Sequence, residues 1–449
     1  MELDLDLITG KNRKRKATEE AQVLPVFSLN ELNEDLLERI LAWLPTSSFF
    51  RLRSVCKRWS SIATSTTFQL ACSQIPFRDP WFLMVDQELN QSVVFDATEW
   101  KWRNISHPYL MQDNLYPKSI PVASCGGLVC FRTISGNFIV SNPVTSVCRE
   151  LPPATLSGGS QTLHAIAMNS SPKDQSYRVV LVFGELSKLA AKVFDASKGL
   201  WEDEVMLARK AGNSSETEFT SDEPLYFLSK SGDVVATNMQ RSPSKQYSSV
   251  LINEDGEVVY FLSHTGTVVA CNLADKTFIE LPRLLPVYSE YSIDLVECQG
   301  EMSVVILSEF LESASLRVWR FSKEDRSWQQ VAVMPPRMSH EFYGKKADVN
   351  CVSSADKIFI CINSSEFSRH VICDIAANEW VELPQCHVNG QTREFMSALS
   401  FEPRVEASLC CIQGFRKALA IEGPPLRTNI LLEAKFELHF SKNFYTNSV

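Results

Sequence analysis

No run of about 18 apolar residues occurs in this chain, so no segment reads as a membrane-spanning helix. The first ten residues, MELDLDLITG, are acidic and alternating where an export signal is basic and then continuously apolar, and an intracellular protein is expected. Positive charge is short as well. Against 53 Asp and Glu there are 44 Lys and Arg, a net charge of −9, which argues against a protein whose main partner is a polyanion. The 13 cysteines are odd in number and scattered, with no Cys-x-x-Cys pair; they read as free, mostly buried thiols and exclude a disulfide framework or a zinc module. Histidine is scarce: seven, at positions 107, 164, 264, 340, 370, 387 and 439. His370 with Cys373, or Cys386 with His387, supplies at most two close metal ligands. Gly-x-Ser-x-Gly, P-loop and His-Glu-x-x-His signatures are absent, so the sequence offers no catalytic residues, no metal site and no cofactor site.

What is present is ordinary globular material, 45% hydrophobic and 22% charged over 449 residues, enough for more than one domain. Residues 1–25 are polar and lack useful periodicity, and are expected to be a disordered tail, while 441–449 is expected to be a C-terminal tail. Within the tail, Lys11, Arg13, Lys14, Arg15 and Lys16 resemble a nuclear localisation signal, and Leu3, Leu5 and Leu7 resemble the LxLxL repression motif of plant transcriptional regulators. The protein is expected in the nucleus, the cytoplasm or both, with the basic run favouring the nucleus.

From 29 to 75 the pattern is helical. Leu36, Leu37, Ile40, Leu41 and Leu44 form a stripe of 3.6-residue period, Asn33 is a candidate N-cap with Glu34 and Asp35 in the first turn, and Pro45 closes the segment. A second helix is expected to start at Thr46 or Ser47 and to run through Phe49, Phe50, Leu52, Val55, Cys56 and Trp59, giving three short helices in all. So small a unit cannot enclose this many large apolar side chains, and part of the stripe is expected to meet a partner. The basic residues Arg51, Arg53, Lys57 and Arg58 are interleaved with that stripe, so they read as a solvated flank or as contacts to an acidic partner, and nucleic acid is not expected.

Beyond residue 80 the period drops to 2 and short strands alternate with turns. FDATEWKW, SNPVTSVC, FDASKGLW, CNLADKTF, FSKEDRSW and CDIAANEW share one design: a strand ending in a polar residue, a tight turn, and an aromatic or apolar residue six positions later. The polar markers Asp96, Asn142, Asp195, Asn272, Ser322 and Asp374 are 46, 53, 77, 50 and 52 residues apart, the period of a β-propeller blade. The long gap contains a duplication. LYFLSKSGDVVATN (225–238) and VYFLSHTGTVVACN (259–272) match closely but lie only 34 residues apart, so six blades with one duplicated hairpin are expected over seven. Trp201, Trp328 and Trp380 are expected between neighbouring blades, and the Leu-Pro or Met-Pro steps at 151–152, 281–282, 334–335 and 383–384 at strand ends.

The segment LNEDLLERILAWLPTSSFFRLRSVCKRWSSIATSTTF (32–68) resembles an F-box, departing from the usual pattern at Leu32-Asn33 and at Ser48-Phe49. Residues 80–440, through ASCGGLVCF (123–131), FIVSNPVT (138–145) and HEFYGKK (340–346), resemble the kelch-type β-propeller of plant F-box/kelch-repeat proteins, although the double glycine Gly126-Gly127 is clear in one copy alone. The resemblance implies an all-β propeller preceded by a small all-α domain, and a non-catalytic substrate receptor of an SCF-type ubiquitin ligase. It implies docking on a Skp-family adaptor, and through it on cullin and RING subunits, by Leu32, Leu36, Ile40, Leu44, Pro45, Val55, Cys56 and Trp59. The propeller would present an unidentified protein target. A non-ligase F-box scaffold or a nuclear regulator is the alternative. Target-binding loops are expected among 106–120, 153–162, 203–224 and 239–250, the last two rich in Ser and Thr.

Overall fold

The computed structural model describes residues 32–86, 93–105, 118–156, 162–171, 176–210, 226–228, 234–236, 247–252, 257–263, 266–285, 291–310, 312–388 and 390–409. The basic run at 11–16, the leucines at 3, 5 and 7, and both expected tails lie outside the described residues.

Four short helices, one more than expected, open the described chain: α1 (Glu34–Ala42), α2 (Thr46–Leu52), α3 (Lys57–Ile62) and α4 (Thr66–Ser73). Asn33 caps α1, its side chain accepting from Asp35 N at 3.3 Å. The single helix expected from Thr46 or Ser47 through Trp59 breaks after Leu52 for a local reason. Ser54 N and Val55 N donate three residues back, to Arg51 O and Leu52 O, and the Ser54 hydroxyl also donates to Arg51 O at 2.7 Å. These bonds tighten and end the last turn. Cys56 is then extended (φ −155°) and starts α3. Leu37, Leu41, Phe49, Trp59, Ile62, Phe68 and Cys72 form the core of the four helices, with Phe49 and Phe68 stacked at 4.7 Å.

The strands build six blades, each around four antiparallel strands, with a fifth strand added to blades 3 and 4. Their innermost strands are Ser397–Phe401, Ser119–Cys125, Leu163–Ser171, Ser249–Ile252, Tyr291–Cys298 and Asp348–Ser354, for blades 1 to 6; each touches the next, and the sixth returns to the first. Blade 1 closes the ring by joining the first and last strands of the propeller: Ser397–Phe401 pairs antiparallel with Trp81–Val85. The continuous apolar run WFLMV follows from this position. Its side chains alternate between two neighbours, Phe82 and Met84 packing toward blade 6 while Trp81 and Leu83 pack toward blade 2. One buried cluster fills each of the six gaps between blades. The duplicated segment is accounted for as well. Its second copy supplies the second and third strands of blade 4, Val258–Leu262 and Val268–Asn272, whereas the first folds as a separate hairpin, Tyr226–Leu228 against Val234–Ala236.

The polar markers of the repeat are turn-formers. Asp96, Asn142, Asp195, Asn272, Ser322 and Asp374 each accept from a backbone N–H two or three residues ahead, at 2.8–3.2 Å for the shortest bond in each. Four residues after each marker the chain enters the left-handed region, at Trp100, Ser146, Gly199, Lys276, Arg326 and Asn378. Two residues later comes the aromatic or apolar position. In three blades it is a tryptophan whose indole N–H donates to the proline carbonyl ending the preceding blade: Trp102 to Pro384 O (2.9 Å), Trp201 to Pro152 O (2.7 Å) and Trp328 to Pro282 O (2.8 Å). Trp380 donates to Asn378 instead.

Candidate functional site

The stripe of α1 divides between two faces. Leu37, Leu41 and Ala42 point into the helical core, while Leu36, Ile40 and Trp43, at i, i+4 and i+7, line the opposite face with 49%, 43% and 66% of their surface exposed. Three large apolar side chains on one short helix face are the kind of patch a soluble protein covers with a partner. Trp43 escaped the sequence reading, although its position three residues after Ile40 was the available signal. Val55, in the turn between α2 and α3, is also exposed, at 67%.

The other sequence-selected residues sit deeper. Leu32 and Trp59 are buried in the helical core, and Leu44 and Cys56 pack half-buried against it. Pro45 is half-buried at the N-cap of α2. These residues hold the outer face in place, because the core needs their volume.

The basic side chains around α2 and α3 serve the fold. Arg51 pairs with Glu99 of blade 1 at 2.7 Å, Arg53 lies over the Phe50 ring, and Arg58 donates to Leu32 O at 2.7 Å. Glu99 also accepts from the Ser47 and Ser48 hydroxyls and pairs with Arg103, so one carboxylate gathers the N-terminal turn of α2 onto the propeller. Arg78 caps the end of α1, donating to Ala42 O at 2.9 Å and to Leu44 O at 3.2 Å.

A second attachment follows ring closure. Residues 402–409 form a strap between helices and blades. Thr46 donates to Pro403 O at 2.6 Å, Arg404 donates to Ile75 O at 3.0 Å and Pro76 O at 3.1 Å, and Val405 packs on the helical core. The Asn142 side chain donates from blade 2 to Arg404 O and Ala407 O, and Leu409 is buried between blades 2 and 3. Arg404 lies between Glu402 (2.7 Å) and Glu406 (3.0 Å), so its charge is balanced where it is half-buried. Gly127 has a role here beyond a repeat signature. At φ +87° it faces the strap so closely that a Cβ would stand 2.7 Å from the Arg404 Cβ.

These contacts place the helices on the face carrying the first-to-second and third-to-fourth strand turns. The connections between blades therefore leave from the opposite face. The loops 106–120, 153–162, 203–224 and 239–250 all belong to such connections, and most of their length lies outside the described residues. Part of 203–224 is regular, however: Val205–Met206 extends blade 3, and Ala208–Arg209 adds a parallel strand to blade 4.

Strand alternation separates the pairs weighed as metal ligands. His370 faces the cluster between blades 6 and 1, among Trp102, Phe359 and Phe395, whereas Cys373 faces blade 5. Cys386 is buried and its thiol pushed up to about 11 by burial, while His387 is exposed beside it. Burial lowers the His370 pKa from 6.5 to about 4. The unfolded chain therefore binds this proton first: stability is complete above about pH 6.5 and is lost as pH falls toward 4, by roughly 3 kcal/mol. Urea unfolding midpoints of wild type and His370→Phe at neutral and acidic pH check this. The variant should lose less stability on acidification, and parallel losses would contradict the assignment.

Among known families, the F-box domain matches residues 29–69 and the KIB1-4 beta-propeller matches residues 94–356. The chain is 47% identical to F-box only protein 13 of Arabidopsis thaliana over 423 residues, covering 91% of this chain and 92% of that one. It is 25% identical to F-box only protein 6 of the same plant, covering 80% and 70%. Protein UNUSUAL FLORAL ORGANS of Arabidopsis thaliana is 22% identical, with 80% of each chain covered. The matched propeller family is thus KIB1-4, where the sequence reading used the kelch name. Among the described residues no helix is long and apolar enough to cross a membrane.

Proposed function

Because the chain belongs to the plant F-box proteins that carry a KIB1-4 beta-propeller, we propose that it is a substrate receptor of an SCF-type ubiquitin ligase. F-box domains bind Skp-family adaptors, and the face of Leu36, Ile40 and Trp43 is the docking surface in this reading, with Val55 contributing from the α2–α3 turn. The observation that carries it is the division of α1: Leu37 and Leu41 complete the domain's own core, and the outward side chains Leu36, Ile40 and Trp43 stay 43–66% exposed. Leu32, Leu44, Pro45, Cys56 and Trp59 support that surface from beneath. Cullin and RING subunits join through the adaptor, and the ubiquitin chemistry belongs to them and to the conjugating enzyme they recruit. The propeller holds the target, on the face opposite the helices, where the connections between blades emerge.

Co-purification of the full chain with a Skp-family adaptor tests the reading. A complex surviving size-exclusion chromatography is expected, and separate elution at micromolar concentration contradicts it. Nuclear entry through Lys11, Arg13, Lys14, Arg15 and Lys16 is part of the proposal. A fluorescent fusion of the full chain should lose nuclear enrichment when all five become alanine; unchanged distribution would remove the signal from the account.

A further inference from the structure

The stretch from Arg39 to Arg78 holds six Lys and Arg residues and not one Asp or Glu. Near its middle Ser54 stands exposed in the turn between α2 and α3, with Arg51 three residues before it and the exposed Val55 directly after. An arginine three residues ahead of a serine and an apolar residue just behind it form a charge pattern of the kind that basophilic protein kinases read. Ser61 repeats the spacing, with Arg58 ahead and Ile62 behind. The structure tells the two apart. Ser61 lies within α3 and Ile62 is buried in the helical core, whereas Ser54 and Val55 both face solvent.

A kinase takes its substrate as an extended strand, so the turn must open locally. Ser54 N and Val55 N make three-residue bonds at 3.3 and 3.0 Å, the Ser54 hydroxyl donates to Arg51 O at 2.7 Å, and Cys56 is extended already. Two further contacts give way: Leu52, half-buried against the core, and the pair of Arg51 with Glu99, in which the arginine side chain is 58% exposed. We propose that a basophilic kinase phosphorylates Ser54 and that the phosphate blocks adaptor docking; the second half rests on the receptor reading above. The Ser54 oxygen bonds to the γ-phosphorus of ATP, the bond to the bridging oxygen breaks and leaves with ADP, and the hydroxyl proton goes to the kinase's base. The product adds about −1.5 to −2 charges beside Val55. An apolar groove cannot close over that edge without stripping the phosphate of water. A docked adaptor covers the same turn, so the kinase acts on the free chain.

The test treats the full chain with magnesium-ATP and a purified calcium-dependent protein kinase, beside a synthetic peptide of residues 47–58, and locates the phosphate by mass spectrometry. Phosphate on Ser54 and none on Ser61 is expected in the chain. Modification of the peptide but not of Ser54 in the chain would show the turn closed to kinases, and none in either would show the pattern unread; each overturns the proposal. Saturating Skp-family adaptor should slow the modification at least about tenfold, and the phosphorylated chain should bind the adaptor at least about tenfold more weakly than the untreated chain. Kinase treatment of Ser54→Ala should leave that variant's adaptor affinity where it was before treatment. An unchanged affinity of the phosphorylated chain, or an equal loss in treated Ser54→Ala, would overturn the switch. An untreated chain that does not bind the adaptor would sink the receptor reading and the switch with it. Phosphate on Ser54 is read without any adaptor, so the two failures stay distinguishable.

Discussion

Replacing Leu36, Ile40 and Trp43 together by alanine should lower affinity for a Skp-family adaptor by at least about a hundredfold while moving the melting temperature by no more than about two degrees. The two halves of this expectation have one origin. Large side chains exposed in the free protein contribute little to its stability, so truncating them leaves no cavity. Buried in a partner's groove, a tryptophan and two aliphatic anchors are the residue types that dominate interface energies, each costing about 1–3 kcal/mol on truncation. Trp59→Ala is the control. Its ring is 8% exposed and belongs to the helical core, so its removal should cost about 3–5 kcal/mol and reduce adaptor binding through unfolding. Adaptor titrations by calorimetry and thermal melts of both variants separate the effects. If the triple variant binds as well as wild type, the docking surface lies elsewhere on the domain.

The second large effect concerns the strap. Arg404→Ala should destabilise the junction by about 2–3 kcal/mol, because it leaves the half-buried Glu402 and Glu406 without their cation and withdraws the donors to Ile75 O and Pro76 O. The loss should be local. Hydrogen exchange is expected to rise at least about tenfold in α1 to α4 and in the described strap, while the inner strands of blades 4 and 5 keep their protection. Gly127→Ala should give the same pattern from the propeller side, since its Cβ would press on Arg404 from a backbone conformation that disfavours side chains. Uniform loss of protection, or none, would show that the helices do not depend on this contact. A rigid junction matters for a receptor, because it fixes where a target held by the propeller stands relative to the adaptor.

Much of this architecture was legible in the sequence, for identifiable reasons. The marker-turn-aromatic repeat was visible because each of its parts acts locally, with a side chain accepting from the turn, a residue in the left-handed region and an aromatic closing the gap to the preceding blade. Six blades could be counted because the duplicated hairpin lay too close to its copy. The helical stripe was equally plain, but its partition was not. A period of 3.6 marks Leu36 and Leu37 alike, and which of them faces outward depends on where α4 packs against α1. Trp43 was missed for the same reason. The break at Ser54 and Val55 depends on side-chain and backbone bonds that the periodic pattern does not carry. The strap was invisible. Glu99 and Arg404 are ordinary in sequence and Asn142 reads there as a turn marker alone, and only closure of the ring by Ser397–Phe401 brings residues more than 250 positions apart beneath the same helices.

The most direct test of the account is hydroxyl-radical footprinting of the full chain alone and saturated with a Skp-family adaptor. Trp43 is 66% exposed in the free protein and Trp100, on blade 1, is 42% exposed, so both should be modified when the chain is alone. With the adaptor bound, Trp43, Leu36 and Ile40 should become protected while Trp100 remains reactive. A complex in which Trp43 stays as reactive as in the free chain would contradict docking through the outer face of α1.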